Sequence, residues 1–411
     1  MKLLLLFSFV SVCFTVTAQS DKNIVIGKID SIASKILNEK RKIWVHVPGA
    51  AGQSIYSQKK YPVVYLLDGD GHFSSVVGMM QQLTTVNGNS LFPEMIVVGI
   101  PNTNRMRDLT PSHMDIDPPM FTDSAFLKTS GGGEKFFAFM EQELIPYIEK
   151  NYSTEPYRIL IGHSLGGLMV MQALVHHTNL FNAYVSIDPS MWWSQESLLK
   201  ETGKIMKTKK FNDRSLFLGI ANTLDGDTKI EKVSKDSSYA TKHIRSILKL
   251  RDLLEASKNS GLKFKAKYYS DEDHGSVPLI AEYDALRFFF SYYPMKLSFK
   301  DLTDSTTGLA EKYEKHYSYV SQQLGYKVKP NEDLINGMGY QALASRQFKK
   351  AERFLKINVD NYPNSGNVYD SYGDYYEAVG DKTNAMIYFQ KALAVAENAD
   401  TRKKLEKLQY K

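Results

Sequence analysis

The sequence predicts a mostly parallel α/β sheet followed by a small all-helical region, on three observations. Short runs rich in branched residues alternate with stretches of helical spacing from residue 40 to about 295. Those runs stop after about Pro294, where Tyr, Ala and Lys dominate. A repeat of period 34 then sets in. Alternation of this kind is the signature of buried strands joined by crossover helices.

In chain order, the first segment reads as a secretory leader. Met1-Lys2 is a short basic start, residues 3–16 are almost unbroken apolar, and Val16-Thr17-Ala18 offers small residues for signal peptidase. A run of 14 is too short for a membrane span, which needs about 20 apolar residues. Residues 1–18 are therefore expected to be cleaved, giving an exported, periplasmic or secreted protein. Of the 411 residues, 411 − 18 = 393 remain, and they contain no cysteine, since Cys13 lies in the leader. Disulfides, Cys-ligated zinc and thiol catalysis are thus excluded from the mature chain. No later apolar run reaches 18 residues, so no membrane span is expected there. The net charge is 51 − 45 = +6 with both signs spread along the chain, which implies no nucleic-acid surface.

Strands are expected at 43–47, 63–67, 95–100, 159–161, 183–187, 216–220 and 264–269. Between them, Phe136, Phe137, Met140, Leu144 and Ile148 fall on one helical face, as do Leu165, Met169, Ala173 and Leu174. Ile244, Ile247, Leu248 and Leu254 form a third stripe. All three are read as core packing. Residues 19–295 form one α/β domain, 296–331 a helical connector, 332–400 a repeat pair and 401–411 a tail. In the repeats Gly339 recurs as Gly373, Ala351 as Ala385 and Ile335 as Tyr369, and Pro363 closes the first unit. This segment resembles a tetratricopeptide (TPR) pair, whose small residues let paired helices approach closely. Two units are fewer than the three or so that stand alone, so they are expected to pack on the α/β domain or on helices from 305–328. The repeats are also a candidate surface for a protein partner.

The chemistry concentrates where Ile159-Leu160-Ile161 runs into Gly162-His163-Ser164-Leu165-Gly166-Gly167, with an amphipathic helix following. A strand, Gly-x-Ser-x-Gly and a helix make the context of a nucleophile elbow. The chain must turn sharply with Ser164 at the apex, and glycines at 162 and 166 remove side chains that would clash. The Leu165 N–H then lies at a helix N-terminus, ready to bind an oxyanion. His163 reads as a packing neighbour rather than the base. The base should follow the serine, on a loop after a late strand. Four of the nine histidines precede the serine or adjoin it, His176 and His177 face away, His243 starts a helix and His316 lies beyond the sheet. His274, in Asp271-Glu272-Asp273-His274-Gly275-Ser276, remains. For the acid, Asp225 in the loop after 216–220 is the first choice, Asp227 the second, and Asp188 after 183–187 a rival; a Ser–His dyad is the fourth option. A second oxyanion donor is expected from the Gly69 and Asp70 amides in Leu67-Asp68-Gly69-Asp70-Gly71-His72. No metal is assigned: Asp68, Asp70 and His72 match no strong ligand spacing.

Leu67-Asp68-Gly69, the block from Asn102 through Arg105, Arg107 and Asp108 to Pro111, Gly162–Gly167, Pro189-Ser190-Met191-Trp192-Trp193 and His274-Gly275 occur in this order. With these blocks the chain resembles the putative esterase family of α/β hydrolases over about 25–295. The family includes esterase D, enterochelin-type siderophore esterases, feruloyl and acetyl-xylan esterases and mycolyl transferases. The resemblance implies an α/β-hydrolase fold, Ser164 as nucleophile, His274 as base and no cofactor. It leaves the acid open. Arg105 or Arg107 is expected either to bind an anionic substrate group or to hold the loop through Asp108, and Trp192 and Trp193 either to wall an acyl or catecholate pocket or to pack. The function expected is an exported serine carboxylic-ester hydrolase on a siderophore or saccharide ester. An acyltransferase and a catalytically silent interaction protein are the alternatives.

Overall fold

One sheet runs through the first two-thirds of the chain, in the order β1-β2-β4-β3-β5-β6-β7-β8. Its strands are β1 (Lys28–Ser34), β2 (Glu39–His46), β3 (Tyr61–Leu67), β4 (Ile96–Ile100), β5 (Thr154–His163), β6 (Ala183–Ile187), β7 (Ser215–Ala221) and β8 (Lys263–Tyr269). The structure, a computed structural model, describes residues 23–49, 59–115, 124–226 and 228–410. The expected leader and Asp227 lie outside the described residues. β2 runs antiparallel to β1 and β4, and every other pairing is parallel.

Every residue of β3, β4 and β6 is buried. This follows from their apolar runs, which need cover on both faces of a parallel sheet. One face carries the helices Leu165–His176 and Lys242–Ala256, through Leu168, Met169, Ile244 and Ile247. The other carries Gly69–Thr84 and Val277–Phe289, through Phe73, Val76, Ala281 and Leu286. The strand not foreseen is β1. It pairs along its whole length with β2 at the sheet edge, but only Ile32 and Ser34 are buried, so it lacks an apolar run. The stripe from Phe136 to Ile148 is helical with a π-turn at Met140–Leu144, immediately before Pro146. Proline has no N–H to continue the α-helical ladder, which accounts for the irregular turn.

Beyond the sheet, the helices Glu332–Ala344, Phe348–Asn361, Gly366–Ala378 and Lys382–Val395 form two hairpins. Their starts recur at 366 − 332 = 34 and 382 − 348 = 34 residues. A Cβ on Gly339 would lie 2.5 Å from Leu355, and one on Gly373 2.5 Å from Phe389. The approach of the paired helices thus uses the small residues. The segment expected as a tail is mostly the helix Ala399–Gln409. Its Leu405 and Leu408 pack with Ala385 and Phe389, covering the apolar face of the second hairpin. The connector is not a spacer either. In the helix Gly308–Leu324, Val320 and Leu324 join the sheet core, while Leu309, Ala310 and Tyr313 pack with Ile335, Phe354 and Ile357. Among the described residues no helix is long and apolar enough to cross a membrane.

Candidate active site

The elbow forms where β5 ends and the helix Leu165–His176 begins. Ser164 sits between them at φ 59°, ψ −116°, a conformation a non-glycine residue holds only when its surroundings enforce it. The enforcing contacts are on either side. The Ser164 N–H donates to the Ile187 carbonyl at 2.9 Å, and the Ser164 carbonyl accepts from the Ser190 N–H at 3.1 Å. A Cβ at Gly162 would lie 2.4 Å from the Gly166 carbonyl oxygen, so the turn excludes any side chain there. The Ser190 hydroxyl stands 3.4 Å from Ser164 Oγ.

These contacts bring the end of β6 to the elbow, and with it Asp188. Asp188 also has a positive φ, 41°, and is fully buried. Its Oδ1 accepts the Ala221 N–H at 3.0 Å. Its Oδ2 accepts from His274 Nδ1 at 2.6 Å and from His243 Nε2 at 2.8 Å. Burial alone would raise the carboxyl, but hydrogen bonds from His243, His274 and Ala221 outweigh it and hold Asp188 well below the usual carboxylate range. The His274 ring packs on His163, centroids 4.4 Å apart, which sets it beside the elbow. Burial first, then the neighbouring His274, lowers His163 to about 4, so His163 is neutral at pH 7.

The structure thus pairs His274 with Asp188 and not with Asp225. The loop after β7 is fastened to the His274 loop by Asn222, whose N–H donates to the Glu272 carbonyl at 2.8 Å and whose side chain donates to the Ser270 carbonyl at 2.9 Å. Asp225, three residues on, is carried out to solvent. The expectation of Asp225 is corrected on this geometry.

Gly69 and Asp70 open the helix Gly69–Thr84, so their N–H groups belong to the turn that has no intrahelical partners. A Cβ at Gly69 would meet the Ile100 nitrogen at 2.5 Å, so this helix start lies tight against β4. Arg105 is committed: it grips Asp68 through Nε (2.7 Å) and a terminal nitrogen (3.0 Å) and reaches the His163 carbonyl at 3.4 Å. Asn102 holds the same carboxylate at 2.7 Å. Asp68 is therefore engaged by a guanidinium, which disfavours the cation reading of Asp68, Asp70 and His72. Arg107 bridges Asp108 (2.7 Å) and Glu39 (2.8 and 3.1 Å). Both arginines brace the loop. Trp192 and Trp193 are both buried, so they pack rather than face a substrate, and the Trp192 indole donates to His243 Nδ1 at 3.0 Å. A groove of about 330 Å³ lined by Tyr313, Tyr317 and Ile357 belongs to the C-terminal helices and contains none of these residues.

His243 is the site residue that sequence reasoning missed. It starts the helix Lys242–Ala256, and nothing in its local sequence separates it from a surface histidine. Together with Asp188 and His274 it makes a three-residue group of metal-ligand types.

Residues 34–278 match the family described as Putative esterase. The chain belongs to this family. Ferri-bacillibactin esterase BesA of Bacillus subtilis is 30% identical over 242 residues, which cover 56% of this chain and 78% of that one. A siderophore enterobactin esterase of Emericella nidulans is 28% identical over 240 residues, 54% of this chain and 79% of its own. Among solved structures, an IroE-like serine hydrolase from Shewanella oneidensis superposes with a TM-score of 0.66 at 29% identity, covering 81% of this chain and 98% of that one. The chain is therefore an esterase-family hydrolase, and its sheet with flanking helices is the fold it shares with the Shewanella hydrolase.

Proposed function

We propose that this esterase is a serine carboxylic-ester hydrolase whose substrate is an ester-linked siderophore. The observation that carries the mechanism is the 2.6 Å contact of His274 Nδ1 with the buried Asp188 carboxylate beside the Ser164 elbow. His274 Nδ1–H donates a hydrogen bond to the Asp188 carboxylate, which leaves Nε2 free to accept. Ser164 Oγ attacks the ester carbonyl carbon while its proton passes to His274 Nε2. The carbonyl oxygen becomes an oxyanion, held by the N–H of Leu165 and those of Gly69 and Asp70. Collapse breaks the ester C–O bond, and His274 returns the proton to the departing alkoxide. Water, deprotonated by His274, then cleaves the acyl-Ser164 ester and restores the enzyme.

The siderophore reading is supported by the names of the relatives, and export by residues 1–18. The helical hairpins are read as a TPR-like pair that offers a surface to a protein partner. The substrate test is hydrolysis of a catecholate trilactone, with and without bound Fe³⁺, followed by mass of the products. Linear fragments released by the wild type and not by Ser164→Ala are expected. An intact trilactone, with p-nitrophenyl acetate still turned over, would move the substrate to another ester.

A further inference from the structure

The His243 imidazole lies between two partners whose roles are fixed by chemistry. The Trp192 indole N–H can only donate, so His243 Nδ1, 3.0 Å away, must present a lone pair. The Asp188 carboxylate can only accept when ionised, so His243 Nε2, 2.8 Å away, must carry the proton. His243 is therefore the neutral Nε2–H tautomer. Trp192 is itself buried, and Lys242 Nζ lies 5.6 Å from its ring centroid.

This matters because Asp188, His243 and His274 each offer a ligand atom within 4.8 Å of those of the other two, a grouping that could hold a divalent transition metal. Such an ion would need lone pairs at both nitrogens. The His274 proton would move from Nδ1 to Nε2, removing the acceptor for the Ser164 proton. The His243 proton would move from Nε2 to Nδ1, where it would point at the Trp192 N–H, donor against donor. We propose that Trp192 is a positioning residue that acts through His243: it locks the Nε2–H tautomer, keeps the Asp188–His243–His274 group from capturing a divalent cation, and so reserves Asp188 for His274. A second histidine on the acid is then a permanent hydrogen-bond donor that holds Asp188 in place and is barred from acting as a ligand.

The tautomer is read on the full-length wild type with ¹⁵N-labelled histidine by long-range ¹H–¹⁵N correlation, the His243 signals being identified by their loss in His243→Gln. The pattern of a neutral, Nε2-protonated ring is expected. An Nδ1-protonated ring or an imidazolium at pH 7 would overturn the proposal, whatever the activity of the protein. The second arm rests on the esterase reading: p-nitrophenyl acetate turnover titrated with Zn²⁺, corrected for hydrolysis by the ion itself. Trp192→Phe should be inhibited at Zn²⁺ concentrations about 10–100-fold below those needed for the wild type, the scale on which outer partners of a ligand tune metal affinity. The double variant Trp192→Phe/His243→Gln should regain wild-type tolerance. Equal sensitivity of wild type and Trp192→Phe, or a double variant as sensitive as the single, would sink the idea.

Discussion

At the scale of single residues, the catalytic reading depends on Asp188 rather than Asp225. An acid that orients the base contributes about 10⁴ in turnover when it is replaced by its amide in a serine triad. Asp188→Asn should therefore lower kcat for p-nitrophenyl esters by about that factor, while Asp225→Asn stays near wild type; steady-state kinetics on the two variants decide it. A second residue carries a pH signature. Glu282 is buried, its Oε2 without a hydrogen-bond partner among the described residues and its Oε1 3.9 Å from His72 Nδ1. Burial pushes Glu282 up to about 8 and pushes His72 down, so at pH 7 both are neutral and the contact is not an ion pair. The folded state thus holds a proton on Glu282 that the unfolded chain, at its ordinary value of 4.5, releases. The resulting stability is fully present below pH 4.5 and is lost as pH rises towards 8, at up to about 1.4 kcal/mol per pH unit. The melting temperature of the wild type should fall between pH 5 and 8 relative to Glu282→Gln, and parallel curves for the two would contradict this. Ser164 and His274 were legible in the sequence because each lies in a short motif with its own strand and helix. The acid was not, because three aspartates end or follow strands and only the packing of Asn222 against the His274 loop turns one away. His243 had no signal at all, since its role comes from Trp192, which lies 51 residues earlier.

Among the elements, the buried strands were readable and the edge strand was not. β3, β4 and β6 are buried at every position because helices cover both faces. β1 buries too little to leave a pattern, and its pairing with β2 is supplied by the backbone. The hairpins were readable through their small residues, and the same glycines give a test. Gly→Ala in a helix interior gains up to about 1 kcal/mol in propensity, whereas overpacking costs about 1–3 kcal/mol. At Gly373 the added methyl meets the Phe389 ring at 2.5 Å and 2.6 Å, while at Gly339 it meets the end of the flexible Leu355 side chain. Gly373→Ala should therefore destabilise the protein by more than Gly339→Ala in chemical denaturation. The reverse order would show that the hairpins do not pack as described.

Over the whole molecule, the boundary expected at 295 divides the sequence composition and not the packing. Val320 and Leu324 are buried in the sheet core, and burying one such side chain contributes about 1.5–3 kcal/mol. A chain ending at 295 should melt well below one ending at 331, although both contain every residue of the site. Equal melting temperatures would mean that the connector adds nothing to the sheet. Composition could not reveal this, because a helix that serves two cores looks like any amphipathic helix in one dimension. These scales meet in one assembly: a strained serine, a histidine and a buried aspartate, carried just past the ends of β5, β8 and β6 and proposed as an acylating site. It is tested most directly by the rate and position of labelling with a fluorophosphonate. One adduct is expected on the peptide that contains Ser164, none in Ser164→Ala, and labelling slowed by orders of magnitude in His274→Ala. Adducts formed equally fast in Ser164→Ala, or a folded wild type that does not label, would contradict it.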